Sequence, residues 1–190
     1  MPGRGERTRR RLLDAAATVF AKRGYHAARV DDIVKLAHAS HGTFYLYFEN
    51  KEEVFNTLTG EVALSMVALA DRFPAFGAGH EGRDQLRAWL EEFAALYRGA
   101  APVLRAWTAA EMAGDEVGRL GNEALATFMQ AIEARFRTAN TPGVDPRAAA
   151  MAVVAMIERA HYYLLVEQVP MDADELTATL ARVTHHAVHG

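Results

Sequence analysis

The sequence predicts an all-α fold, and three observations carry that expectation. Apolar residues recur at spacings of three and four in segment after segment, the period of a helix buried along one side. Start and stop signals punctuate those segments: Asn50 with Glu53, Asp145 with Pro146 and Asp172 with Glu175 open helices, while Gly24 and Gly99 close them. The strand reading has one foothold, the aromatic run HGTFYLYF starting at His41, and no partner strand stands near it. About nine helices and no convincing strand result.

The elements follow in order. Residues 8–23 place Leu13, Ala16, Ala17 and Phe20 on one stripe, with Arg9, Arg10, Lys22 and Arg23 largely elsewhere, and Gly24 supplies the stop. A short second helix, residues 30–37, buries Val30, Ile33 and Ala37 and sets Asp31 and Asp32 in the first turn, where the helix dipole favours anions. Ser40 caps a third short helix, with Phe44 and Phe48 on one face. From Asn50 a long helix runs through Val54, Leu58, Val62 and Met66 towards Phe73. Residues 74–82, PAFGAGHEG, break the pattern and predict a mobile loop. Leu86, Trp89, Leu90, Phe93 and Tyr97 mark the next helix, and Val103, Leu104 and Trp107 another that ends near Gly114. Asp115 caps a helix carrying Leu125, Phe128, Ile132 and Phe136, which breaks at TPGV. The last two run from Pro146 to about Glu167 and from Asp172 through Leu176, Leu180 and Val183.

Composition bounds the function. With 51% apolar and 24% charged residues the chain has globular character, and 190 residues suffice for a sizeable core. No run approaches 18 apolar residues and no secretory signal opens the chain, so a soluble, cytoplasmic protein without a membrane partner is expected. The absence of cysteine excludes disulfides, thiolate metal sites and a cysteine nucleophile. No GxGxxG-type loop, GxSxG elbow or HExxH occurs. His185 and His189 lie four apart but lack a matching carboxylate motif, and read as exposed tail histidines. Neither an enzyme nor a cofactor or metal is expected. Charge is uneven: residues 1–50 hold nine Lys/Arg against five Asp/Glu, a net of +4, and residues 51–190 hold twelve against nineteen, a net of −7. A basic segment suits phosphates, and an acidic remainder faces away from a polyanion.

Two short helices joined by a tight turn, the second opening on small and polar residues, fit a helix-turn-helix, in which the second helix enters the DNA major groove. Gly42 permits close approach, Thr43 and Tyr45 offer hydroxyls to phosphates or base edges, and Tyr47 presents a phenol away from Phe44 and Phe48. By these residues the chain resembles the TetR family of transcriptional regulators. The signature stands as KRGYHAARVDDIVKLAHASHGTFYLYFENKEEVF, residues 22–55. The likeness covers residues 8–58, and residues 59–190 agree only in length and helix count.

The resemblance implies a three-helix DNA-binding domain over residues 1–50 and a helical effector-binding and dimerisation domain over 51–190. It implies phosphate contacts for Thr43, Tyr47 and Lys51 and base-edge contacts for Gly42 and Tyr45. His41 stands where relatives commonly carry Arg or Lys, and Arg29, with Arg7, Arg9, Arg10 and Arg11, is a candidate for accessory phosphate contacts. His38 replaces the usual turn glycine and must accept positive φ.

Trp89, Phe93, Trp107, Met112, Phe128, Met129 and Tyr163 are candidates to line an apolar ligand pocket, with Glu111, Glu158 and His161 as polar anchors; packing into a core is the competing reading for each. Relatives place a small-molecule pocket among these middle helices, and its occupancy moves the DNA-binding domains apart. Ala148, Ala152, Ala155 and Tyr162 on one late helix, and Leu176, Leu180 and Val183 on the other, are candidates for the four-helix bundle by which the family dimerises. The implied function is a ligand-responsive transcriptional regulator, a repressor, that binds near-palindromic double-stranded DNA as a homodimer and is released by a small, largely apolar effector. The alternative is a helical partner-binding adaptor that has lost DNA binding, which applies if His38 and His41 disrupt the reading helix.

Overall fold

A computed structural model describes residues 3–75, 77, 79–112, 119–165 and 169–189, and among them it holds nine helices and no strand. They are α1 (Arg4–Ala27), α2 (Val30–Leu36), α3 (His41–Tyr45), α4 (Lys51–Asp71), α5 (Gly79–Gly99), α6 (Ala101–Met112), α7 (Arg119–Ala139), α8 (Pro146–Leu165) and α9 (Ala173–His189). The chain forms two compact units, Met1–Leu64 with Ala100–Glu123, and Ser65–Gly99 with Ala124–Gly190. Helix α4 therefore gives its first part to one unit and its last to the other. These compact units follow packing and differ from the expected domain boundary at residue 50.

In the first unit the predicted stripe of α1 buries Leu12, Leu13, Ala16 and Phe20. Gly24 takes φ 75°, ψ 163°, which breaks the helix where a stop is expected. Phe20, Tyr25 and Phe55 then meet ring to ring, with centroids 4.9–5.8 Å apart. Phe44 and Phe48 join this core, and each large side chain so buried stabilises the unit by about 1.5–3 kcal/mol. The core also takes Val103 and Ala106 from α6. Trp107 packs against it as well, beside Gly121, where a Cβ would collide with the indole.

In the second unit α5 buries Leu86, Trp89, Leu90, Phe93 and Tyr97. Helix α8 adds Val153, Val154, Ile157 and His161, and α9 adds Thr177, Leu180, Ala181 and Thr184, each set at helical spacing. The predicted caps form: the Ala148 amide donates to Asp145 Oδ1 at 2.8 Å and the Glu175 amide to Asp172 Oδ1 at 2.9 Å. The loop expected over residues 74–82 is shorter than expected, because α5 already begins at Gly79 and buries Gly82. Any Cβ at Gly82 would strike the backbone of Gly77, so glycine serves close packing there. Asp115, Glu167 and the side chains of Glu111, Met112 and His189 lie outside the described residues.

Candidate nucleic-acid interface and effector cavity

The turn between α2 and α3 decides whether a reading helix is presented at all. His38 adopts φ 47°, its amide donates to the Lys35 carbonyl at 3.3 Å, and the Ala39 amide donates to the Val34 carbonyl at 2.9 Å. These two bonds, around a left-handed residue, make a Schellman closure, with histidine where glycine is usual. Ser40 then caps α3, accepting from the Thr43 amide at 3.1 Å, while its hydroxyl lies 2.9 Å from the Thr43 hydroxyl.

One face of α3 is buried through Phe44, and the opposite edge is open. His41, Gly42 and Tyr45 stand on that open edge, Tyr45 58% exposed. Leu46, at the helix end, is 81% exposed; sequence reasoning missed it, although its place beside Tyr45, off the Phe44–Phe48 face, signals exposure. His41 Nε2 lies 2.9 Å from Asp31 Oδ1, and its ring stacks on Tyr45 with centroids 6.5 Å apart. Thr43 is half-buried. Tyr47 is also half-buried against the core, its hydroxyl beside Gly5 in the first turn of α1.

The basic residues divide. Arg29 is exposed immediately before α2. Arg9 sits over the Phe48 ring at 5.2 Å. Arg10 is held by Asp14 at 2.8 Å and Glu61 at 2.7 Å, and the Glu61 hydrogen bond, ahead of the Asp14 interactions, raises its pKa against the cost of burial. Lys51 is placed differently from the implied phosphate role. Its Nζ donates to the carbonyls of Tyr25, His26 and Ala28 at 2.9–3.1 Å and lies 4.7 Å from the Tyr25 ring centroid. Three donors meet three acceptors, so the ammonium closes the end of α1. Desolvation holds its pKa below the usual lysine value.

The candidate effector residues do not gather into one pocket. Trp89, Phe93 and Phe128 are 3–4% exposed and meet ring to ring with centroids 5.8–6.0 Å apart, as core. The Trp89 indole donates to the Leu69 carbonyl at 2.9 Å. Trp107 belongs to the first unit's core, Met129 is half-buried and Tyr163 is 40% exposed. His161 borders a cavity of about 310 Å³ between α5 and α8, walled by Ala94, Tyr97, Leu164, Leu165 and Met171, with Arg98 also on its lining. Glu158 sits beside it, accepting from the Tyr97 hydroxyl at 3.0 Å. Burial first, then the Glu158 charge, drives the Tyr97 pKa well above the ordinary tyrosine value. The sequence signal for Tyr97 is its place four residues after Phe93 on one helical face.

On α8, Ala148, Ala152 and Ala155 are exposed, with Met151 60% exposed between them and Arg159 5.0 Å over the ring of half-buried Tyr162. On α9, Val183 is 49% exposed and Leu176 half-buried, but Leu180 is 5% exposed and belongs to the unit's own core. A side chain already buried inside its own unit offers no surface to a second copy. His185 is half-buried with Nε2 3.1 Å from the Gly77 carbonyl, so it is not the exposed tail histidine expected. No group of three His, Cys, Asp or Glu side chains suited to a metal occurs among the described residues.

Comparison with known proteins bears on these sites. Residues 12–58 match the profile of bacterial regulatory proteins of the tetR family. An uncharacterized HTH-type transcriptional regulator of Bacillus subtilis, YdgC, is 48% identical over 58 residues, 30% of each chain. The fatty acid metabolism regulator protein of the same organism is 46% identical over 50 residues, 26% of each chain. The chain thus matches less than a third of the length of these curated relatives. Solved structures extend the likeness of fold along the chain. GusR of Salmonella enterica has a TM-score of 0.72 at 22% identity, covering 99% of this chain and 96% of its own. FadR of Bacillus subtilis in complex with stearoyl-CoA has a TM-score of 0.69 at 20% identity, covering 94% and 96%. The capped helix α3 thus lies inside a segment, residues 12–58, that is similar to the tetR family of bacterial regulatory proteins, and the all-helical fold is shared along the chain with these solved structures.

Proposed function

We propose that the protein is a ligand-responsive transcriptional repressor that binds a near-palindromic duplex as a homodimer, α3 in the major groove. One observation supports this above the others: α3 is fixed from behind by buried Phe44 and leaves His41, Gly42, Tyr45 and Leu46 as an open edge. The Tyr45 hydroxyl and the Gly42 backbone suit base edges, exposed Leu46 suits a thymine methyl, and Thr43, Tyr47 and Arg29 suit phosphates. Lys51 serves by holding α1 in place. The His38 turn is closed by its own backbone bonds, which supports a presented reading helix over an adaptor that has lost one.

Release by an effector is supported by the cavity between α5 and α8. The FadR relative was solved with stearoyl-CoA, a ligand with a long apolar chain. Ligand control requires different affinities for two dimer conformations. The exposed Ala148, Ala152 and Ala155 edge of α8, with Tyr162 and Val183, suits the dimer contact.

Selection of bound duplexes from a random pool, followed by fluorescence anisotropy, tests the reading. Binding is expected to fall steeply as salt rises. Tyr45→Ala is expected to weaken the selected duplex by about 10-fold or more while leaving nonspecific binding nearly unchanged. Selection that enriches no sequence, for the wild type and for His41→Arg alike, refutes DNA reading.

A further inference from the structure

His161, on the lining of the cavity between α5 and α8, carries a buried polar atom whose hydrogen-bonding needs the protein leaves unmet. His161 is 5% exposed, and its Nδ1 lies 2.7 Å from the Ile157 carbonyl oxygen. A carbonyl only accepts, so Nδ1 carries the proton and Nε2 presents a bare lone pair. That Nε2 is buried and has no hydrogen-bond partner. Desolvation, helped by the charge of Arg98 and opposed by the Ile157 bond, lowers the pKa of the ring and keeps it neutral. Its aromatic neighbours leave the lone pair unmet: Phe93, 5.0 Å away by centroid, has no donor, and Tyr97, at 6.0 Å, spends its hydroxyl on Glu158. The remaining walls include Ala94, Leu164, Leu165 and Met171.

We propose that this cavity takes a small apolar molecule bearing a hydroxyl group, whose O–H donates to Nε2 of His161. The proposal rests on the ligand-responsive reading above and names the chemistry of its effector. A carboxylate has no proton to donate and leaves Nε2 unsatisfied. An ammonium meets repulsion from Arg98 on the same lining. An unsubstituted hydrocarbon fills the space and still leaves a buried acceptor unpaired. A hydroxyl on an apolar body satisfies the ring and buries the rest, and about 310 Å³ places the ligand at the small end of the usual range.

The test titrates the full chain with 4-ethylphenol and with 4-ethyltoluene, a pair that differs by hydroxyl against methyl. Calorimetry reads affinity, and the ¹⁵N resonance of His161 Nε2 reads the hydrogen bond. The phenol is expected to bind about 10-fold more tightly and to shift that resonance, which the toluene leaves in place. His161→Leu is expected to abolish the preference, and His161→Gln, which restores an acceptor, to recover part of it. The wild-type resonance decides the question even if His161→Leu does not fold. Equal binding of the two probes, or a phenol that binds without moving the Nε2 signal, overturns the hydroxyl preference while leaving a ligand cavity. Binding of neither at millimolar concentration overturns the cavity as an effector site, and the duplex titration without probes then reports separately on DNA recognition.

Discussion

Lys51 shows how one side chain changes meaning once its neighbours are known. A lysine at a helix start beside a reading helix suits phosphate, but here its three protons go to the carbonyls of Tyr25, His26 and Ala28. Lys51→Met is therefore expected to cost about 1–2 kcal/mol of stability, the lower part of the range for charged hydrogen bonds because the site is partly open to water. Urea denaturation checks this, and at low temperature DNA affinity is expected to change less than in Tyr45→Ala. His161 gives a pH dependence with a definite sign. Its folded-state pKa lies below the ordinary 6.5, so between the two values the unfolded chain binds the proton that the folded chain excludes. Stability is retained above pH 6.5 and declines as the pH falls towards the folded-state value. Acidification from pH 7.5 to 5 is thus expected to lower the urea midpoint more in the wild type than in His161→Leu.

Among the elements, the α2–α3 turn carries a strained residue. His38 at φ 47° occupies a region in which a side chain costs more than glycine does. Its side chain is exposed, so replacement loses no buried packing. His38→Gly is expected to raise stability by up to about 1 kcal/mol, a few degrees in melting temperature, and His38→Val to lower it. Scanning calorimetry separates the two. The start of α5 shows the opposite limit of glycine reasoning: the run of breakers suggests a mobile loop, whereas Gly82 lies inside the helix, at a place where the Gly77 backbone leaves no room for a side chain. The resulting helix places Tyr97 and Arg98 beside His161 of α8 at the cavity.

For the molecule as a whole, the proposed dimer makes one requirement of α8: its outer edge must accept a second copy. Ala152 lies on that exposed edge, so a charge there is nearly neutral for the single chain and costly in a packed interface. Ala152→Glu is expected to shift sedimentation equilibrium towards monomer and to weaken duplex binding in parallel, with the melting temperature of the dilute protein changed by no more than a few degrees. A dimer that persists in this variant places the contact elsewhere.

The sequence by itself determined the helices, their main caps and the buried face of the reading helix. These depend on local periodicity and on side chains bonding within three or four residues, as Ser40, Asp145 and Asp172 do. Even positive φ at His38 was legible through the family resemblance, because this histidine stands where the family usually carries a turn glycine. Tertiary structure alone decided where α6 packs, that Trp107 joins the first unit's core, that Leu180 is spent inside its own unit, and that Trp89, Phe93 and Phe128 close on each other while His161 borders a cavity. A helical period reports that a face is apolar. Whether core, ligand or a second chain covers that face depends on residues distant in sequence, which no local pattern encodes.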